Sequence, residues 1–159
     1  MQVQAGMYSF EPVTTWDESG VPLTVQIKDT LVTLSNAEET LFFSLTSEPA
    51  PSGSTSQVCL DTILQRMTAD LSDLQVSQAY PVATQNGTGL QVRLQAKVFS
   101  QTSIGALQVI QVNQRCFSLF GLATSEDAAA LWEQSGAPII NQLQQSVRFL
   151  EPSQLMYCE

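Results

Sequence analysis

The sequence has 159 residues, of which 43% are hydrophobic and 13% are charged. A chain of this length and composition buries enough apolar surface to fold unaided, so we expect one soluble domain over residues 1–159. Its formal net charge is −9, and its six bases are isolated from one another. Because this charge repels polyanions, we expect no nucleic-acid partner. No segment approaches the roughly 20 apolar residues that cross a bilayer, so we expect no membrane insertion.

The first third of the chain has the pattern of antiparallel strands. An edge strand is predicted near Tyr8 to Phe10. Residues 23–28 then alternate between apolar and polar side chains, a tight turn leads into 31–34, and an aromatic-rich strand follows at 41–45. A period of two residues is typical of strands with one buried face, so this region is interpreted as a β-meander.

A loop and an amphipathic helix follow the first meander. Residues 48–56 are rich in Pro, Gly and Ser and have no hydrophobic pattern, which indicates a loop. Apolar residues then recur at three- and four-residue spacing over 58–74, at Leu60, Ile63, Leu64, Met67, Leu71 and Leu74. This spacing predicts a helix that packs one face on the sheet.

A second meander is predicted over residues 80–123. The strand at 80–84 leads to Asn86-Gly87, a pair that favours a hairpin turn. In residues 90–98 apolar and polar side chains then alternate strictly. Further strands are predicted at 107–112 and 116–123. The last of these is apolar on both faces, which predicts a central strand with helices on each side.

The second helix begins at Thr124 or Ser125, because acidic residues follow in the first turn, where they suit the cap and the helix dipole. Trp132 lies on its apolar stripe and is expected in the core. Gly136 and Pro138 lie within the stripe and should kink or restart the helix.

The three cysteines are far apart and odd in number, which argues against a disulfide framework. Cys59 and Cys116 are therefore expected to be small buried hydrophobic residues. Cys158 lies in the tail 151–159, which we expect to be loosely held, and should be an exposed thiol whose redox role the sequence leaves open.

The sequence offers no conventional catalytic site. It contains no histidine, which excludes Ser-His-Asp and Cys-His arrangements and any His-ligated metal. The acidic pairs Asp17-Glu18, Glu38-Glu39 and Glu126-Asp127 lie in predicted turns or at a helix cap, where solvated carboxylates are usual. We therefore expect no enzymatic activity, metal or cofactor.

Trp16 is the candidate binding residue, together with Asp17 and Glu18. Large aromatic side chains are favoured as interface anchors, and Trp16 lies in a turn-like stretch rather than on an apolar stripe. Compared with Trp132, Trp16 is the better candidate for a partly exposed ring beside two carboxylates at a binding edge.

Four segments and their order resemble the PsbP-like superfamily. They are Tyr8-Ser9-Phe10-Glu11-Pro12, residues 41–45, Gly89-Leu90-Gln91-Val92, and 116–123 followed by the helix with Trp132. This superfamily includes the photosystem II extrinsic subunit, the Ran-binding Mog proteins and DcrB-like lipoproteins. The resemblance implies an α+β fold with an antiparallel sheet, made of two meanders, sandwiched by helices. It also implies a non-enzymatic binding or assembly role, and it transfers no ligand or metal residues.

Two functional hypotheses follow. The first is an accessory or assembly protein that binds another protein through an acidic surface and the sheet face near Trp16, which predicts an exposed apolar patch rimmed by acids. The alternative is a small-molecule carrier or unrecognised enzyme, which predicts an enclosed cavity of a few hundred Å³ between sheet and helix. The partner and the pathway are not encoded in any pattern of the sequence.

The first seven residues lack both the basic region and the apolar core of a secretion signal. If the chain is complete, we expect it in the cytoplasm. If a signal segment has been removed from it, an exported mature domain is expected instead.

Overall fold

A computed structural model of the chain describes residues 3–5, 8–10, 23–51, 53–98 and 100–149. All statements about structure below refer to these residues. For residues 3–5, 8–10 and 72 only the backbone is described.

The described residues form strands and two helical regions in the predicted order. The strands are β1 (Val3–Ala5), β2 (Tyr8–Phe10), β3 (Thr24–Lys28), β4 (Leu31–Ser35), β5 (Leu41–Pro49), β6 (Ser72–Val76), β7 (Tyr80–Thr84), β8 (Gly87–Val98), β9 (Gln101–Val112), β10 (Arg115–Thr124) and β11 (Arg148–Phe149). The helices are α1 (Ser56–Asp70), α2 (Ala128–Leu131) and α3 (Ala137–Ser146), with a π-helical segment at Trp132–Gly136 between the last two.

The main sheet has the strand order β3-β4-β5-β10-β9-β8-β6, and β7 also pairs with β8. Every pairing in it is antiparallel. A small second sheet joins β1, β2 and β11. Helices lie on both faces of the main sheet, so the predicted α+β class is confirmed.

Strand β10 occupies the centre of the main sheet. It pairs with β5 on one side and with β9 on the other, so that Leu119 lies between Leu45 and Gln108. Most of its side chains are apolar on both faces, as predicted, because helices pack on each side of the sheet, although Ser118 and Phe120 line an opening on one side. The β5–β10 pairing joins the first meander to the second.

The helices that follow β10 cover one face of the sheet, here called the α3 side. Trp132 is buried there and packs beside Phe43, with ring centroids 6.3 Å apart. A Cβ atom on Gly136 would lie 2.1 Å from the Trp132 ring, which explains glycine at this position. The predicted irregularity near Gly136 takes the form of the π-helical segment, which widens the helix around the indole.

Helix α1 packs on the opposite face, here called the α1 side. Thr55 caps its first turn by accepting a hydrogen bond from the Val58 amide at 3.3 Å. Its buried residues Leu60 and Ile63 join a core with Val92 and Leu107 of the sheet. One face of α1 thus packs on the sheet, as predicted.

The predicted end of the first helix is wrong. Helix α1 ends at Asp70, and Ser72–Val76 forms β6 instead. Leu71 has extended backbone angles, and β6 then pairs with β8 at the edge of the sheet. Leu74 fits the three- and four-residue spacing of the helix, but it belongs to β6. The pairing of β6 with β8 outweighs the local periodicity here.

The expectation that Cys59 and Cys116 are unpaired is also wrong. They form a disulfide, with their Cα atoms 5.5 Å apart and a sequence separation of 57. The bond links the first turns of α1 to the beginning of β10, and both cysteines are buried as predicted. Cys158 lies outside the described residues.

Candidate functional site

Helix α1 covers only part of its side of the sheet. It lies mainly over β8 and β9, and a groove of about 520 Å³ opens between α1 and strands β5 and β10. We call this the α1–β5 groove. It is open to solvent along one side, in contrast to the α3 side, where the helices meet a continuous core.

An aromatic pair lines the groove. Phe42 of β5 and Phe120 of β10 pack edge to face, with ring centroids 6.3 Å apart. Phe120 is half-buried, whereas Phe42 is 40% exposed. An aromatic ring this exposed in a concave site is available to pack against an apolar group from outside the chain.

The floor of the groove carries hydroxyl groups. Thr46 and Ser118 lie opposite each other on β5 and β10, and Ser44 lies opposite Phe120. Ser118 is only 5% exposed and lines the groove. A hydroxyl group that lines a groove can both donate to and accept from a ligand or water.

Three charged side chains line the groove. Arg66 of α1 forms an ion pair with Glu48 of β5, which bridges the helix and the sheet. Asp70 is the last residue of α1, and neither of the two ion pairs among the described residues includes it. The groove therefore has an excess of one negative charge.

Leu31 of β4 is exposed on the same face but lies apart from the aromatic pair. It is 41% exposed, and the register of β4 on β5 places Thr33 between Leu31 and Ser35, the residue opposite Phe42. The exposed apolar surface of the groove therefore consists of Phe42 and Phe120, and its acidic neighbours are Glu48 and Asp70.

A second, smaller pocket, partly open to solvent, lies on the α3 side and measures only about 20 Å³. Gln108 lines it and is 4% exposed; its Nε2 donates to Gln91 Oε1 at 2.8 Å. Among the described residues, Gln108 Oε1 has no hydrogen-bond partner. This space fits about one water molecule, far less than a carrier's ligand needs.

The predicted binding residues Trp16, Asp17 and Glu18 lie outside the described residues, so their place relative to the groove stays a prediction. Sequence analysis missed Phe42 as a candidate. The alternation within 41–45 could have identified it, because Phe42 and Phe43 must point to opposite faces of the sheet. No group of three or more metal-ligating side chains occurs in the described part of the chain.

No helix in the part of the chain that the structure describes is both long and apolar enough to cross a bilayer.

Comparisons with known proteins identify the fold. No family model matches the chain, and no curated protein does. Among solved structures, the Ran-binding protein Mog1p of Saccharomyces cerevisiae superposes with a TM-score of 0.63 at 11% identity, covering 96% of each chain. Cyanobacterial PsbP (CyanoP) from Synechocystis sp. PCC 6803 gives 0.58 at 14% identity, over 94% of this chain and 91% of its own.

LpqN of Mycobacterium tuberculosis, described as involved in cell envelope biogenesis, gives a TM-score of 0.50 at 10% identity, over 91% of this chain and 92% of its own. These similarities extend over nearly the whole chain, and they agree with the observed order of strands and helices. The predicted resemblance is therefore confirmed at the level of structure: the chain has the PsbP-like fold.

Proposed function

We propose that this chain is a protein-binding accessory domain and that the α1–β5 groove is its contact surface. The observation that carries the proposal is the exposed Phe42 ring above Phe120, in an open groove rimmed by Glu48 and Asp70. Apolar surface of this kind, surrounded by polar groups, is typical of interaction sites.

The small-molecule carrier is less well supported. A carrier needs an enclosed pocket of several hundred Å³, whereas the small pocket beside Gln108 has room for about one water molecule. The larger space is open, and an open groove suits a flat or extended partner better than a ligand that must be hidden from water.

An enzymatic role has less support than binding. The groove offers the hydroxyls of Ser44, Thr46 and Ser118, and a nucleophilic hydroxyl needs a neighbouring base. The chain has no histidine, and of the two carboxylates that line the groove, Glu48 is engaged by Arg66 and Asp70 is exposed at the end of α1.

The fold comparison agrees with a binding role. Mog1p, which shares the fold, is a Ran-binding protein. Because the two chains are only 11% identical, only the general role of binding a protein is proposed by analogy with Mog1p. Neither its partner nor its contact residues are transferred to this chain. Trp16, Asp17 and Glu18 are kept in the proposal as further contact residues, on the sequence argument alone.

We also propose that the chain works in an oxidising compartment, as expected of an exported mature domain. Buried disulfides such as Cys59–Cys116 persist outside the reducing cytosol and are rare within it. Alkylation of thiols in freshly lysed native cells, before any reduction, should leave both cysteines unmodified in the mass spectrum. Alkylation of both at this stage would instead place the chain in a reducing compartment.

Site-specific photo-crosslinking tests the contact surface. Phe42 is replaced by p-benzoyl-phenylalanine in the native organism, and the matched control carries the same replacement at Tyr80, which is 41% exposed but lies on β7 at the other edge of the sheet. We expect a discrete protein adduct from position 42 and none of the same mass from position 80.

Two results would contradict the proposal. One is an identical set of adducts at both positions, since that would reflect non-specific collision. The other is an absence of adducts at position 42 together with a small molecule retained by the wild-type chain in native mass spectrometry, which would favour the carrier.

A further inference from the structure

We infer that the α1–β5 groove takes an extended segment of the partner protein that carries an apolar side chain close to a lysine or arginine. The inference rests on the proposed function, because it describes what enters the same groove. Three features of the groove define this chemistry: its aromatic pair, its hydroxyl floor and its exposed acid.

The aromatic pair requires an apolar side chain. Phe42 leaves part of its ring open to solvent, while Phe120, Met67 and Leu71 form the adjoining apolar wall. An apolar group placed here removes both its own surface and that of Phe42 from water, which is the main source of affinity in such sites.

The hydroxyl groups of the floor favour an extended backbone over a helix. A helix satisfies its amide and carbonyl groups internally, whereas an extended segment presents them to its surroundings. Ser118 lines the groove opposite Thr46, and Ser44 lies on the same floor. These hydroxyls can donate to the carbonyls of such a segment and accept from its amides.

The length of the groove sets the length of the segment. Phe42 and Glu48 line it from the same strand, β5, and are six positions apart. At about 3.3 Å per residue this is roughly 20 Å, so a segment of about six residues extends along it.

The exposed acid favours a cation on the partner. Asp70 ends α1, and the last turn of that helix contains no basic residue. Its carboxylate therefore adds to the negative end of the helix dipole instead of being offset by a neighbour. Because Arg66, the cation of the groove, is engaged by Glu48, a lysine or arginine of the partner would complement the charge of Asp70.

Selection from a phage-displayed random heptapeptide library tests the inference. The oxidised wild-type chain is the target, and phage that also bind Phe42→Ala are discarded. We expect the remaining peptides to combine an apolar residue with lysine or arginine. Synthetic copies, labelled with fluorescein, are then titrated by anisotropy against wild type, Asp70→Asn and Asp61→Asn.

Asp61 is the matched control, because it is an exposed acid on α1 that does not line the groove and accepts a hydrogen bond from Gln57. Asp70→Asn should weaken binding by about three- to five-fold, the usual contribution of an exposed charge pair, and Asp61→Asn should not. The loss at Asp70 should shrink at high salt.

The possible failures are distinguishable. Phe42-dependent peptides that lack bases, or whose affinity is unchanged by Asp70→Asn, would overturn the inference and leave the proposed function intact. If no peptide depends on Phe42 and position 42 also gives no crosslinked protein, then the groove is not a contact surface and both proposals fail.

Discussion

The two faces of the main sheet differ in how completely helices cover them. On the α3 side, the helices after β10 meet a continuous core that includes Phe43, Trp132 and Leu143. On the α1 side, a single helix covers β8 and β9 and leaves the groove beside β5 open. The α3 side thus presents a closed core, whereas the α1 side combines a second core beneath its helix with an open groove, although both faces belong to the same strands.

Adjacent residues of β5 give the sharpest test of this difference. Phe43 is fully buried, so Phe43→Ala should lower the free energy of unfolding by about 3 to 5 kcal/mol. Phe42→Ala removes the same ring from the groove and should cost about 1 kcal/mol or less. Urea unfolding followed by circular dichroism measures both. Equal losses would mean that the groove is packed as tightly as the core.

The disulfide is the main covalent support of the α1 side. It closes a loop of 57 positions, so its loss should lower the free energy of unfolding by about 2 to 4 kcal/mol. Thermal unfolding should compare the double variant Cys59→Ser, Cys116→Ser with the disulfide-bonded chain. Both proteins should carry Cys158→Ser, which prevents thiol exchange. Hydrogen exchange should increase more in α1 than in α3. An unchanged unfolding temperature would show that α1 is held by packing alone.

The ion pair between α1 and β5 should have the smallest effect. The Arg66 side chain is 56% exposed, and surface ion pairs of this kind contribute about 0 to 1 kcal/mol. Glu48→Gln should therefore shift the urea midpoint only slightly. A loss of more than about 2 kcal/mol would show that this pair, rather than the disulfide, fixes the helix that forms the groove wall.

The strands of the core could be predicted from sequence because their periodicity is local. The largely apolar run of β10 indicated a central strand, and the stripe around Trp132 indicated a buried helix face. In both cases the side chains that define the pattern are themselves the ones that pack, so no knowledge of distant residues is needed.

The groove and the disulfide could not be predicted in this way. Cys59 and Cys116 approach each other because α1 lies across the beginning of β10. Their separation in sequence does not predict this proximity in space. Likewise, whether Phe42 or Phe43 faces open space depends on which helix covers which face. The end of α1 was missed for a related reason, since the pairing of β6 with β8 is a contact between distant segments.

The pairing of β5 with β10 also constrains the order of events during synthesis. Strands β3, β4 and β5 leave the ribosome well before residues 115–124, the partner that completes the β5 edge. Until then Leu41, Phe43 and Leu45 belong to an unpaired edge strand, which is the kind of segment that aggregates. It follows that the nascent first meander is the part of this chain most in need of a holding chaperone, and that export before completion of β10 would keep it in that exposed state.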